Sequence, residues 1–243
     1  MTWCSTWHME INFTKCRQMR ISRNSSKSPH TYSISGVPLE SVSLFKYLGV
    51  YISSNLSWKP HTEYICNNAS RALGYIRRNF CLAPINLKLT LYRTLVRPKL
   101  EYAASVWDPG QESLTSKIES IQNRAVRFIF GNYSRTSSVS LMKTNLNLSD
   151  LSLRRTVARL SLFHKIYYHN PSLRQSLISS PSYISSRIDH RQKVNVPSCS
   201  TRSYFDSFLP RTSADWNHLP GSTSSIADTL QFKRAVCDHF CVS

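Results

Sequence analysis

The spacing of apolar residues changes near residue 57, and the chain reads as two different texts on either side. Before it, short segments alternate around turns: Glu10 to Phe13, Gln18 to Ile21, and Thr31 to Ile34, which runs into Ser35-Gly36 and then Val37-Pro38-Leu39. Such alternation predicts strands. Phe45 to Ile52 is β-rich by propensity, and Gly49 inside it points to a bulge or to a close backbone approach. After Ser57 the period becomes helical. Ile65, Ala69, Ala72, Leu73, Ile76 and Phe80 fall on one face. Asn86 can cap a second helix carrying Leu87, Leu91, Leu95 and Val96, which Pro98 should kink or break.

Asp108-Pro109-Gly110 reads as a turn. A third helix puts Leu114, Ile118, Ile121, Ala125, Phe128 and Ile129 on one side, with Gly131 as its stop. Ser149 or Asp150 opens a fourth, with Leu153, Val157, Leu160 and His164 in register, and Asn170-Pro171 ends it. From Ser172 the chain turns Ser-rich, with order expected again at Tyr204-Phe205 and from Thr229 to Phe240. The expected fold class is α+β, mostly α: a small antiparallel sheet over residues 1–56, a helical bundle over 57–170, and a loop-rich segment over 171–243.

Composition narrows the function. Of 243 residues, 41% are apolar and 18% charged, which excludes both a disordered polyampholyte and a membrane bundle. No apolar run approaches the about 20 residues that a bilayer requires. Thirty-one Lys and Arg against 13 Asp and Glu give a net charge of +18, which favours a polyanionic partner. The first 19 residues lack the basic head and apolar run of a secretion signal. The 7 scattered cysteines are then expected to be reduced, in the nucleus or cytoplasm.

No P-loop, Gly-x-Ser-x-Gly or His-Glu-x-x-His motif is present. No two acids are adjacent, so no carboxylate pair offers the convergence that two cations roughly 4 Å apart require. Cys237, His239 and Cys241 lie close together, but their spacing matches no common zinc pattern, and packing is the simpler reading. No metal site is expected.

The basic residues say more. Between Glu63 and Glu101 there is no acid, yet Arg71, Arg77, Arg78, Lys88, Arg93, Arg97 and Lys99 occur there. Between Asp150 and Asp189 the same holds, with Arg154, Arg155 and Arg159 opening the fourth helix; Arg124 and Arg127 sit on the third. Solvated helix faces ordinarily mix signs, whereas phosphate tracking calls for acid-free basic stripes. Interleaved aromatics can stack on bases or fill the core. Core is expected for Trp58 and Trp107, and either role for Tyr47 and Tyr51.

Five successive segments carry a resemblance. Trp3 to Cys16, with Asn12-x-x-Lys15-Cys16 at its end, is similar to the stretch just after the catalytic Tyr-x-Asp-Asp strand of non-LTR (LINE-type) retrotransposon reverse transcriptases. Phe45 to Val50 resembles the family's primer-grip hairpin. Leu91 to Trp107 and Ile118 to Arg127 resemble its thumb helices, and Phe208 to Thr212 with Trp216 to Pro220 resembles its ending. The resemblance implies that residues 1–56 are a palm remnant and 57–170 a thumb, with the metal-binding aspartates and the fingers upstream of the position matching Met1.

On that footing Lys15 matches a lysine that assists proton transfer to the leaving group. Leu48 and Gly49 match the turn that presses on the primer end. Arg71, Arg77, Arg78, Arg124, Arg127, Arg154, Arg155 and Arg159 would line the groove for an RNA or DNA template–primer duplex. The complete family enzyme uses Mg²⁺. This chain alone is expected to hold no cofactor and to catalyse nothing. The alternatives are a non-enzymatic basic nucleic-acid-binding module and a translated transposon relic.

Overall fold

The computed structural model describes residues 2–22, 30–185, 187 and 189–242. The contacts divide into two compact units, Met1–His61 and Thr62–Ser243. The fold class is α+β, mostly α, with strand pairing confined to the first unit among the described residues.

The first unit holds helix α1 (Thr2–Thr6) and six short strands: β1 (Arg17–Gln18), β2 (Ser33–Ile34), β3 (Val37–Pro38), β4 (Glu40–Ser41), β5 (Leu44–Tyr47) and β6 (Val50–Ser53). They form three two-stranded ribbons, β1 parallel to β4 and the pairs β2–β3 and β5–β6 antiparallel. Ser35-Gly36 makes the expected turn between β2 and β3. Gly49 is not a bulge. Tyr47 pairs with Val50, so Leu48 and Gly49 are the two central residues of a tight hairpin, at φ +44° and +85°. Positive φ at both positions is the type I′ geometry that follows the strand twist. The strand expected at Glu10 to Phe13 does not form. A 3₁₀ turn occupies Phe13–Lys15, with the Thr14 hydroxyl donating to Asn12 Oδ1 at 2.6 Å, a local bond that competes with a sheet ladder.

Helix α2 (Lys59–Asn79) opens at the boundary between the units. It is followed by α3 (Ile85–Leu91), a π-turn at Tyr92–Val96, α4 (Arg97–Glu101), α5 (Ala104–Trp107), α6 (Glu112–Phe130), α7 (Val139–Asn145), α8 (Leu151–His169), α9 (Pro171–Leu177), α10 (Arg202–Phe205), α11 (Phe208–Asn217), α12 (Gly221–Ser224) and α13 (Thr229–His239). Pro84, not Asn86, stands at the start of α3. Pro98 does not break the helical run, because it falls in the first turn of α4, where its missing N–H is tolerated. Gly131 ends α6 at φ +64°, and Asp150 precedes α8, both as the sequence predicts.

The core of the second unit gathers Val157, Leu160 and Phe163 of α8 with Trp216 of α11, Leu219, and Phe232 and Val236 of α13. The Ser-rich segment joins this core through its backbone. Trp216 Nε1 donates to Gln192 O at 2.8 Å, and the Asn217 side chain exchanges two bonds with Val194. Residues 171–243 therefore share a compact unit with the helices before them, and the contacts do not divide at residue 171.

Candidate nucleic-acid interface

Two side-chain contacts one heptad apart link α2 to α6. Glu63 meets Lys117 at 3.6 Å, and Arg124 Nη2 donates to Ser70 Oγ at 3.0 Å. Beyond the end of α6, the Arg77 guanidinium lies 5.7 Å from the centroid of the Tyr133 ring. Residues seven apart return to nearly the same face of a helix, which is why 63, 70 and 77 share this seam. The apolar sides of both helices, Ile65, Ala69, Leu73 and Ile76 on one and Ile118, Ile121, Ala125 and Ile129 on the other, are buried.

What remains outward is basic. Arg71, Arg77, Arg78 and Arg124 are exposed, and Arg127 is half-buried, its Nη1 donating to Ser134 O at 2.7 Å. The Arg71 guanidinium bonds Asn68 on its own helix, and that of Arg78 lies back toward Gly74. Exposed Tyr75 and Tyr133 stand among these arginines. The acids near the seam are already engaged: Glu63 with Lys117, and Glu119 with Lys143 Nζ at 2.5 Å and the Leu151 N–H at 3.0 Å. Five of the eight arginines assigned from the sequence thus lie on α2 and α6, four of them on the exposed surface.

The other three do not join it, and the expectation of a stripe on α8 needs correcting. Arg155 and Arg159 point inward to Asp108, through Nε to Oδ1 at 2.6 Å and Nε to Oδ2 at 2.8 Å. Their side chains are 1% and 3% exposed, so neither presents a guanidinium to a phosphate outside. Arg159 also bonds Asp215 at 2.9 Å and the Thr212 hydroxyl at 3.1 Å. Arg211 approaches Asp108 at 3.3 Å, and burial pulls its pKa below the ordinary arginine value against the pull of Asp108. Arg154 is half-buried on Glu101, with Nη2 to Oε2 at 3.2 Å. One carboxylate at the end of α5 thus pins α8 to α11.

Sequence reasoning passed over Asp108 because it read Asp108-Pro109-Gly110 as a solvent turn. The available signal was an acid directly after the apolar Val106-Trp107, with no neighbouring base to pair with it locally. In the first unit, Lys15 is exposed at the end of the 3₁₀ turn. Leu48 is 73% exposed at the hairpin tip, and Gly49 is half-buried beside it. Trp107 is fully buried as expected, and Trp58 half-buried. Tyr47 is exposed, while Tyr51 is half-buried with the Lys46 ammonium 5.6 Å from its ring centroid. Among the described residues no three His, Cys, Asp or Glu side chains gather where they could hold a metal ion. No helix among them is long and apolar enough to cross a membrane.

Fold and surface together define a basic, mostly helical α+β protein with an arginine-lined face. Its sequence is similar to a probable RNA-directed DNA polymerase from transposon X-element of Drosophila melanogaster, 26% identical over 135 residues that make up 53% of this chain and 14% of that protein. It is also similar to the RNA-directed DNA polymerase from mobile element jockey of the same organism, 26% identical over 144 residues, 56% of this chain and 15% of the relative. A third is the probable RNA-directed DNA polymerase from transposon BS, also of Drosophila melanogaster, 28% identical over 132 residues, 52% of this chain and 14% of the relative. The chain is thus homologous, over about half its length, to non-LTR retrotransposon RNA-directed DNA polymerases, and it matches only about one seventh of each. No family model matches the chain, and no solved structure does.

Proposed function

We propose that this chain is the template–primer-holding part of a retrotransposon reverse transcriptase, with α2 and α6 forming the thumb face that tracks the duplex backbone. The observation that carries the reading is the exposure of Arg71, Arg77, Arg78 and Arg124 on α2 and α6, where Glu63 and Glu119 are engaged by lysines. Charge so arranged neutralises phosphates and releases their counterions, which is sequence-blind and steep in salt. The exposed Tyr75 and Tyr133 add flat faces beside that charge. The homology to RNA-directed DNA polymerases supports nucleic acid as the polyanion.

The β5–β6 hairpin is the candidate primer contact in the same reading. Gly49 has no side chain to hold a strand away, and Leu48 projects from a backbone that leucine rarely adopts. Nucleotide addition belongs to carboxylates in the rest of the longer polypeptide. The test is duplex binding by the purified chain over a salt series. The Arg77→Glu, Arg78→Glu pair should weaken unrelated duplexes by a similar factor and flatten the log–log slope by about one to two units. Lys193→Glu, in the Ser-rich segment and paired with Asp189 at 2.7 Å, should do far less. Equal losses per charge reversed would reduce the interaction to diffuse attraction.

A further inference from the structure

Arg155 has more donors than the protein satisfies. Its Nε is taken by Asp108, while Nη1 and Nη2 are buried with no hydrogen-bond partner. Leaving four N–H groups of a charged side chain unmet is expensive, and native interiors rarely do so without a reason. The charge around it is unbalanced as well. Arg155, Arg159 and Arg211 share Asp108, and Asp215 is the second acid, reaching only Arg159. Three guanidinium groups therefore face two carboxylates.

Arg155 also lines a cavity of about 420 Å³ between α8 and α13, together with Glu101, Arg154, Val157, Ala158 and Lys233. Glu101 is already engaged by Arg154 and lies 3.9 Å from Arg97. Lys233 is exposed and makes no ion pair among the described residues. The wall thus includes a buried cation whose Nη donors are unpartnered, a second cation without a carboxylate, and a small apolar surface. The volume exceeds what one inorganic ion fills and falls within the range of small-molecule sites.

We infer that this cavity binds a small phosphomonoester, with the phosphate held by Arg155 Nη1, Nη2 and Lys233 and the organic part against Val157 and Ala158. A planar guanidinium fork matches two oxygens of one phosphate, and two positive groups favour a dianion over a carboxylate. Both Nη atoms are covered, so binding requires a side-chain movement of the wall at Arg155, of the kind common on ligand entry.

Calorimetric titration of the full chain with AMP tests the site, with adenosine and inorganic phosphate as comparison ligands. AMP should bind one per chain, inorganic phosphate more weakly, and adenosine weakest. Lys233→Glu, an exposed change that leaves the core alone, should weaken AMP at least about tenfold, the loss of one charge-assisted bond. Arg191→Glu, an equal charge reversal outside the cavity, should leave AMP affinity unchanged. Arg155→Lys keeps the charge but removes the fork, and if it folds it should lose AMP binding. Adenosine binding as well as AMP, an unchanged affinity in Lys233→Glu, or no AMP binding at millimolar concentration would each overturn the assignment. Duplex binding is a separate readout on α2 and α6, so either proposal can fail while the other stands.

Discussion

Helix α8 and the α2–α6 seam draw on the same raw material, arginines on amphipathic helices, and use it in opposite ways. On the seam, each helix has an apolar side wide enough to fill its buried face, so the arginines fall outside it. On α8, burial extends round to Arg155, Arg159 and His164 because packing comes from several directions: α5, α6, α11 and α13 all contact it. An arginine caught in such a helix must find a carboxylate, and Asp108 supplies one for three. Acid-free sequence therefore does not mean acid-free surroundings. The neutralising group for α8 lies 47 residues from Arg155 and 51 from Arg159 along the chain.

The contrast breaks most severely at Asp108. Asp108→Ala leaves buried Arg155 with no carboxylate and Arg159 with Asp215 alone. Removing one member of a buried ion pair costs about 3–5 kcal/mol, a large part of the total stability of an ordinary domain. The expected result is a large fall in urea midpoint, or a chain that no longer folds cooperatively. A loss under about 1 kcal/mol would show that the cluster is solvated and that α8 and the seam do not differ in kind.

The matching experiment on the seam moves a different quantity. Arg77→Glu with Arg78→Glu should shift stability by no more than about 0.5 kcal/mol per site, as exposed substitutions ordinarily do, while duplex affinity and its salt slope fall. Both arginines also occupy the last turn of α2, where positive charge complements the helix dipole, so the small stability change should be unfavourable. A stability loss as large as that at Asp108 would erase the distinction between the two arginine sets.

Much of this was legible from spacing. The 3.6-residue period located α2, α6 and α8, Gly131 and Asp150 set helix ends, and the change of period near residue 57 falls close to the boundary at His61. Those features are local, and short-range sterics and burial decide them. The π-turn at Tyr92–Val96 was not legible. Its Tyr92 hydroxyl donates to Gln122 Oε1 at 2.6 Å, and Arg93 Nη2 donates to Leu146 O at 3.1 Å, both long-range bonds. The docking of residues 190–195 on Trp216 was hidden for a related reason: it is made largely with main-chain atoms, whose partners leave no mark in the side-chain pattern. The exposure of Arg71, Arg77, Arg78 and Arg124 was legible because exposure follows helix phase, whereas the burial of Arg155 and Arg159 hung on a distant acid.

A buried group that titrates sharpens the comparison further. His61 is buried, and its Nδ1 accepts a hydrogen bond from the Tyr51 N–H at 3.2 Å. Burial, then the nearby Lys46 charge, lowers its pKa from 6.5 to about 4. The unfolded chain therefore binds the proton more readily than the folded one between those values. Stability is complete above pH 6.5, falls as pH drops from 6.5 toward 4, and stops falling on this account below 4. The difference in urea midpoint between the parent and His61→Asn should show that slope only within this window. A difference that does not change with pH would mean that His61 binds its proton as readily in the folded protein as in the unfolded chain.

The smallest expected effect lies at the tip of the β5–β6 hairpin, where exposure and strain coincide. Leu48 is 73% exposed, so its side chain contributes little burial, yet its backbone sits at φ +44°. For an L-residue with a γ-branched side chain the left-handed region costs about 1–2 kcal/mol, whereas asparagine and glycine enter it readily. Leu48→Asn should therefore stabilise the β5–β6 hairpin by about 1 kcal/mol, seen as slower hydrogen exchange at the Tyr47 and Val50 amides. Proteins retain such strain where it serves a contact. If the hairpin tip seats a primer end, the same change should reduce affinity for a duplex with a recessed 3′ end while leaving affinity for a blunt duplex of equal length unchanged. The seam arginines predict the reverse pattern, an equal loss on both duplexes with no gain in stability. A Leu48→Asn chain that is more stable and binds both duplexes as the parent does would confine the hairpin to a structural role and leave the duplex to α2 and α6 alone.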